Sequence, residues 1–118
     1  MTVTDIAAGS AQLAIPAIVG EVEMAVVVET EVVSASQAQH DLVDERIEAV
    51  MREMGGPPGG LMVHFSRPHG DGFLMVDVWR SESEMRTFHD ASVIPVLAAV
   101  GLDQGEETVW PVWTFARP

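Results

Sequence analysis

Two residues of the chain carry side chains suited to proton transfer, and both lie in apolar segments. Asp77 alternates with Met75 and Trp79, and His64 lies within the apolar segment 61–67. Burial of an unpaired carboxylate is costly and raises its pKa, which makes it a candidate general acid or base. An imidazole titrates near neutral pH and can move a proton in either direction. The pattern therefore predicts acid–base chemistry at Asp77 and His64.

The same two residues also have purely structural interpretations. His64 can be a histidine of the core or of an interface. Asp77 can form an ion pair with Arg67 or Arg80, or a contact between subunits. Segments 61–67 and 73–79 are separated by a short turn and are expected to pair as a hairpin. A His–Asp dyad is then possible, but the sequence does not fix the register that would form it.

Further side chains are candidates to line a pocket beside this pair. Tryptophan rings can stack on an aromatic ligand, although core or interface packing is expected to account for at least one of them. A histidine on the second predicted helix can face the pocket or be partly exposed. The candidate substrate-binding residues are Trp79, Trp110, Met75, Phe73, His89 and Arg67. The histidines show no HxH, HxxxH or HExxH spacing, so we expect no metal site.

Composition excludes several classes of function. The 118 residues include 18 acidic and 6 basic side chains, and all of the basic ones are arginine. Nucleic acids and anionic membranes attract cationic surfaces, so neither is an expected partner. The absence of cysteine excludes disulfides and thiol chemistry. No apolar run is long enough to span a bilayer, and no basic residue precedes Arg46, so we expect a cytoplasmic protein.

The periodicity of the chain predicts one domain, at 23–118, after an N-terminal leader or packing arm at 1–22. Strands are expected at 24–29, 61–67, 73–79 and 108–115, and Pro111 favours an edge position for the last. A helix of about 16 residues is expected after Ser34 or Ser36, with a second opening at Ser81 and kinked or divided at Pro95. The first helix carries its apolar character at Ala38, Leu42, Ile47, Val50, Met51 and Met54.

The resulting order, β-α-β-β-α-β, is that of an α+β, ferredoxin-like domain with an antiparallel sheet. Helices cover one face of such a sheet. Because the strands are apolar on both faces, we expect a second copy of the chain to cover the other, which makes the protein a homodimer.

Residues 76–89, Val-Asp-Val-Trp-Arg-Ser-Glu-Ser-Glu-Met-Arg-Thr-Phe-His, form a strand that ends in Trp, a Ser-Glu cap and a helix. This junction resembles the dimeric α/β-barrel superfamily, and most of all its antibiotic-biosynthesis-monooxygenase-like branch. The Gly-Gly-Pro-Pro-Gly-Gly segment at 55–60 and the closing Val-Trp-Pro-Val at 109–112 are similar to small actinobacterial members. The resemblance covers roughly residues 24–115 and implies a dimeric α/β barrel.

The resemblance also implies a pocket for a flat, fairly apolar or aromatic small molecule, with Trp79 on the substrate side. The superfamily includes cofactor-free monooxygenases, polyketide cyclases, lactone isomerases and haem-binding proteins. We therefore expect a cofactor-independent enzyme that cyclises, isomerises or oxygenates an aromatic or polyketide-like metabolite. Met75 stands where many oxygenases of the family have Asn, and the chain has no Tyr, which disfavours quinone-forming oxygenation. The alternatives are a non-catalytic ligand-binding or structural dimer and a haem-binding protein that uses His64 or His89.

Overall fold

The computed structural model describes residues 23–114 and 116, and its elements follow the predicted order. The predicted arm at 1–22 lies outside the described residues. The elements are β1 (Val26–Val32), α1 (Gln37–Met54), β2 (Leu61–His69), β3 (Gly72–Trp79), α2 (Glu82–Phe88), a π-helical turn (His89–Val93), α3 (Ile94–Ala99) and β4 (Gln104–Pro111). Within the described part, no helix combines the length and apolar character needed to cross a membrane.

The four strands form one antiparallel sheet in the order β2-β3-β1-β4. This order and the helices between the strands confirm the α+β, ferredoxin-like fold. Central strand β1 alternates strictly between buried and half-buried residues, and β4 lies at an edge, as Pro111 predicted. Gly72 opens β3 where the hairpin passes β1, and a Cβ there would lie 1.9 Å from the carbonyl oxygen of Val32. Only glycine fits this approach.

Helix α1 begins and ends at strong sequence signals. Ser36 accepts a hydrogen bond from the backbone of Gln39, whose side chain accepts one from the backbone of Ser36, and Gly55 ends the helix at φ 94°. The predicted apolar face was partly wrong. Leu42 and Met54 are exposed, whereas Val43, absent from the predicted set, is 1% exposed. The apolar stripe that contacts the sheet consists of Val43, Ile47, Val50 and Met51.

The second helical segment divides near Pro95, as predicted, and the break has a specific form. After α2, the backbone N–H of Ile94 donates to the carbonyl of His89, five residues earlier, and α3 then continues with Pro95 in its first turn. One wide turn of this kind changes which side chains face the sheet. Phe88 and His89, where α2 meets this turn, are both buried.

The last strand lies four residues earlier than predicted. It spans Gln104–Pro111 instead of 108–115, so Trp113 lies beyond the strand and is 90% exposed. The apolar run at 108–115 suggested a strand, but the polar residues Gln104–Glu107 also pair with β1. An edge strand needs little apolar character, because backbone hydrogen bonds to its single neighbouring strand hold it in the sheet.

The helices cover one face of the sheet, where the core lies, and leave the other face open. The core packs β1 and β3 side chains such as Val28 and Trp79 against Met85 and Leu97 of the helices. The open face is apolar at one end, where Val63, Phe65 and Trp110 are 41–52% exposed. Its other end carries Glu29, Glu31, Arg67, His69 and Glu106. The expectation that the strands are apolar on both faces therefore holds for only part of the open face.

Candidate functional site

His64 and Asp77 form the dyad that the sequence left open. They are opposite each other in the β2–β3 ladder, and Nδ1 of His64 lies 2.5 Å from Oδ1 of Asp77. The Asp77 side chain is 10% exposed, whereas that of His64, on the edge strand, is 37% exposed. The pair therefore joins a buried carboxylate to an imidazole that solvent or a ligand can reach.

The tight turn between β2 and β3 sets the register that brings the two side chains to the same face. His69 pairs with Gly72 across the turn, and the same register continues without interruption through the His64–Asp77 pair. The ladder shifts by one residue only farther along, near Leu61, and this bulge does not affect the pair.

His89 contacts the same carboxylate from the helical layer. Its Nε2 lies 3.0 Å from Oδ2 of Asp77, and its side chain is 3% exposed. The indole N–H of Trp79 donates to the same Oδ2 at 3.3 Å. Asp77 therefore accepts from one indole and two imidazoles, which satisfies a buried carboxylate that would otherwise be costly.

The hydrogen bonds determine the charge of Asp77. Burial by itself raises the pKa of this carboxyl, but hydrogen bonds from His64 and His89, together with their charges, outweigh burial and lower the pKa to about 2. The sequence suggested a raised pKa, which was wrong because its argument did not include the two imidazoles. Asp77 is thus a permanent anion near neutral pH and cannot itself exchange protons there.

The carboxylate in turn controls His64. Its hydrogen bond and negative charge raise the pKa of His64, and this effect exceeds the opposite effect of burial. The N–H of Nδ1 points at Asp77, so the second nitrogen of a neutral ring, Nε2, carries the free lone pair. This is the arrangement of an oriented general base, in which a carboxylate fixes the tautomer and stabilises the imidazolium.

A small cavity of about 60 Å³ adjoins the dyad between the sheet and the helices. Its polar lining comes from His64, Asp77 and His89. The apolar lining comes from Ile47, Met51, Leu61, Met75, Trp79, Phe88 and Val93. The volume holds a few water molecules or one edge of a ligand and is too small for a tetrapyrrole. Any larger molecule that reaches His64 must therefore lie mainly outside this cavity.

The other predicted site residues divide between the two faces of the sheet. Phe73, Met75 and Trp79 are buried on the helix-covered face with Asp77, although Phe73 lies farther along the strand. Trp110 and Arg67 do not join them, because they alternate onto the open face opposite Val27 and Leu74. Among the described residues, Asp77 pairs with histidines and not with Arg67 or Arg80.

The sequence placed His89 in a pocket but did not predict its bond to Asp77. His89 follows α2 in ordinary helical geometry, with its backbone N–H donating to the carbonyl of Met85 four residues earlier, so its side chain lies on the same buried face as Met85. Its Nδ1 is buried without a hydrogen-bond partner among the described residues. Within the same part of the chain, no three His, Asp or Glu side chains are arranged to hold a metal ion. The two imidazoles instead donate to different oxygens of one carboxylate.

Comparisons with known structures support the fold. SnoaB, a cofactor-independent oxygenase from Streptomyces nogalater, matches 79% of this chain and 96% of its own, with a TM-score of 0.55 and 16% identity. A proposed antibiotic biosynthesis monooxygenase from Deinococcus radiodurans matches 80% of this chain and 98% of its own, with a TM-score of 0.52 and 14% identity. No model of a protein family matches the sequence, and no curated protein matches it.

These similarities confirm the ferredoxin-like fold that the resemblance implied. At such low identity they carry no information about individual site residues. What the site can do must be argued from its own geometry.

Proposed function

We propose that the chain is a small, cofactor-independent enzyme that transfers protons on a planar aromatic or polyketide-like metabolite, with His64 as the general base. One observation carries the proposal: an accessible imidazole whose Nδ1 lies 2.5 Å from a buried carboxylate. A purely structural ion pair would not need one partner to remain 37% exposed beside a cavity. Perturbed histidines at such positions are typical of acid–base sites.

The proposed step begins with an acidic C–H bond of the bound molecule. Nε2 of His64 takes the proton, and the electron pair of the broken bond is delocalised over the aromatic and carbonyl groups. The imidazolium then returns the proton at another carbon or at oxygen, which isomerises the substrate. Alternatively the carbanion attacks a carbonyl carbon of the same molecule, and the imidazolium protonates the resulting alkoxide. Either route regenerates neutral His64 and needs no added electron carrier.

Asp77 and His89 have supporting parts in this proposal. Asp77 does not exchange a proton, because its pKa of about 2 keeps it ionised. It fixes the ring of His64 and stabilises the imidazolium while the substrate is deprotonated. His89, held 3.0 Å from Oδ2, keeps the carboxylate in place from the helical layer. Both act on the reaction through His64.

A second candidate, oxygenation by O₂, is favoured by the similarity to SnoaB, which is described as a cofactor-independent oxygenase. It begins with the same deprotonation, after which the carbanion reacts with O₂. For anthrone as substrate, O₂ adds at the deprotonated carbon and water leaves, so that C₁₄H₁₀O and O₂ give anthraquinone, C₁₄H₈O₂, and H₂O. Met75 supplies no amide beside the site, and for this reason proton transfer is the first candidate.

Anthrone in D₂O tests both candidates with one probe. Its methylene protons are acidic because their loss gives a fully aromatic anion. The proposal predicts catalysed deuterium incorporation under argon, followed by NMR, and oxygenation predicts in addition O₂ uptake and anthraquinone in air. Binding without either reaction would favour the non-catalytic ligand-binding protein. A Soret band on addition of haemin, lost in His64 or His89 variants, would favour the haem-binding alternative.

We further propose that a second copy of the chain covers the open face, as the sequence suggested. The face exposes Val63, Phe65 and Trp110 at one end. At the other end it presents both signs of charge, with Glu29 and Glu31 near Arg67. A surface with one apolar end and one end of mixed charge can complement itself across a two-fold axis.

A further inference from the structure

The polar end of the open face carries more carboxylates than cations. This polar end consists of Glu29 and Glu31 on β1, Arg67 and His69 on β2, and Glu106 on β4, which border a depression of about 120 Å³. Three carboxylates are thus accompanied by one guanidinium, which keeps its charge near neutral pH. An imidazole is the side chain that gains or loses a proton in this range. His69 therefore decides how far the charge of the polar end is balanced.

His69 contacts one of these carboxylates within the single chain. Its Nε2 lies 3.0 Å from Oε2 of Glu31. The two side chains are 37% and 32% exposed, so water weakens the pair. The other carboxylates, those of Glu29 and Glu106, come from β1 and β4, and among the residues that border the depression β3 contributes no charge. Apart from Arg67, a proton on His69 therefore faces only negative charge at the polar end.

Two polar ends face each other in the proposed dimer. Sheets that pack face to face can keep their strands roughly aligned, and the apolar ends of two copies then meet only if like ends of the sheets face each other. In this arrangement the two-fold axis runs along the strands. Given the strand order, β2 of one copy then lies against β4 of the partner. Arg67 and His69 at one edge of the sheet are therefore opposite the partner's Glu106.

Assembly makes an unbalanced charge at the polar end more costly. A second copy removes water from the carboxylates, and a carboxylate without water needs a cation or a proton. Two copies of the polar end together hold six carboxylates and two guanidinium groups. A proton on each His69 adds two cations, each bonded to Glu31 and opposite the partner's Glu106, which compensates for the burial of the imidazolium. The dimer therefore holds more protons than two single chains.

We infer that His69 links assembly to protons: its imidazole takes up a proton when two polar ends meet, so the dimer tightens as the pH falls through the neutral range. The inference rests on the homodimer proposed above and adds its regulation. Because the dimer holds more protons than the separate chains, a lower pH favours assembly and a higher pH favours dissociation. The dyad of His64 and Asp77 borders the cavity under the helices, so this linkage uses a different histidine from the proposed chemistry.

Sedimentation of the full chain over a dilution series, at about pH 6 and about pH 8, tests the inference. The dissociation constant of the wild type should be about tenfold or more larger at the higher pH, because each of the two histidines in a dimer releases a proton. H69Q keeps a hydrogen-bonding side chain without a titrating group and should remove this rise. H40Q is the matched control and should retain it, because His40 forms a similar pair with Asp41 on α1, away from the open face.

E106Q is an independent variant, since it removes a carboxylate from the polar end and leaves the His69–Glu31 pair in place. It should tighten the dimer at the higher pH and reduce the pH dependence. If the dimer does not dissociate on dilution, urea unfolding, which includes dissociation, gives the same comparison. A dimer whose dissociation constant is independent of pH, or changes equally in H69Q, overturns the inference and leaves the homodimer standing. A wild type that is monomeric at both pH values overturns both.

Discussion

Nδ1 of His64 lies 2.5 Å from Oδ1 of Asp77, across two strands whose register is set by the turn that joins them. The contact raises the pKa of His64 and lowers the pKa of Asp77. The opposite shifts of the two pKa values assign a role to each residue in the proposed reaction. Asp77 is the fixed anion, and His64 is the group that gains and loses the proton.

The pH dependence of the reaction follows from His64. Below its raised pKa the ring is an imidazolium and has no lone pair to accept a proton. The exchange rate should therefore rise with pH and reach half its plateau above about pH 6.5. In D77N the raising contact is lost, so the midpoint should move to lower pH. A profile whose midpoint is the same in both proteins would show that His64 is not the titrating base.

Asp77 should also make the free energy of unfolding depend on pH in the acid range. Its pKa is lowered from 3.8 to about 2 on folding, so its stabilising contribution is present above the unfolded value and is lost as the pH falls. The free-energy advantage of the wild type over D77N should shrink by about 2 kcal/mol between about pH 5 and about pH 2. Urea unfolding of both proteins at each pH measures it. A difference independent of pH would contradict the ionised, hydrogen-bonded state of Asp77.

His89 should tune His64 through the carboxylate that they share. Replacement of His89 by Phe keeps a ring of similar size beside Trp79 but removes one donor from Asp77. More of the negative charge is then available to His64, so the pKa of His64 should rise further. An NMR titration of the His64 ring in H89F gives the answer. If the pKa is unchanged while stability falls, His89 has only a packing role.

The proposed dimer should depend on the apolar end of the open face. Phe65→Glu places a charge at a side chain that is 51% exposed in the single chain. If a second copy covers this face, F65E should halve the mass measured by light scattering, because a buried unpaired charge is costly. Leu42→Glu, on the exposed side of α1, is the matched control. A wild-type chain that is monomeric at high concentration would contradict the homodimer.

Much of the fold, and part of the site, follows from local patterns. The alternation of Phe73, Met75, Asp77 and Trp79 predicted which face of β3 carries the carboxylate, and the structure confirms it. The meeting of His64 with Asp77 did not follow, because it depends on the register that a turn of two residues, Gly70 and Asp71, sets between β2 and β3. The contact of His89 with Asp77 did not follow either, because it depends on how α2 packs on the sheet. Local periodicity fixes neither arrangement.

The direction of the pKa shift of Asp77 also could not be predicted from the local sequence. Its apolar neighbours along the strand are visible in the sequence and argue for a raised value. The two imidazoles that lower it come from residues 13 and 12 positions away, in another strand and another layer. Long-range hydrogen bonds therefore lower a pKa that the local composition predicted to be raised.

Deuterium exchange at the methylene of anthrone, in the wild type and in H64Q, tests the central claim most directly. The substituted glutamine keeps a polar side chain of similar reach but cannot act as a base, so the catalysed rate should fall by about 10²–10⁴-fold. H69Q, which alters the hairpin histidine bonded to Glu31 on the open face, should retain the wild-type rate. A catalysed wild-type rate that survives in H64Q, or that falls equally in H69Q, would contradict His64 as the catalytic base.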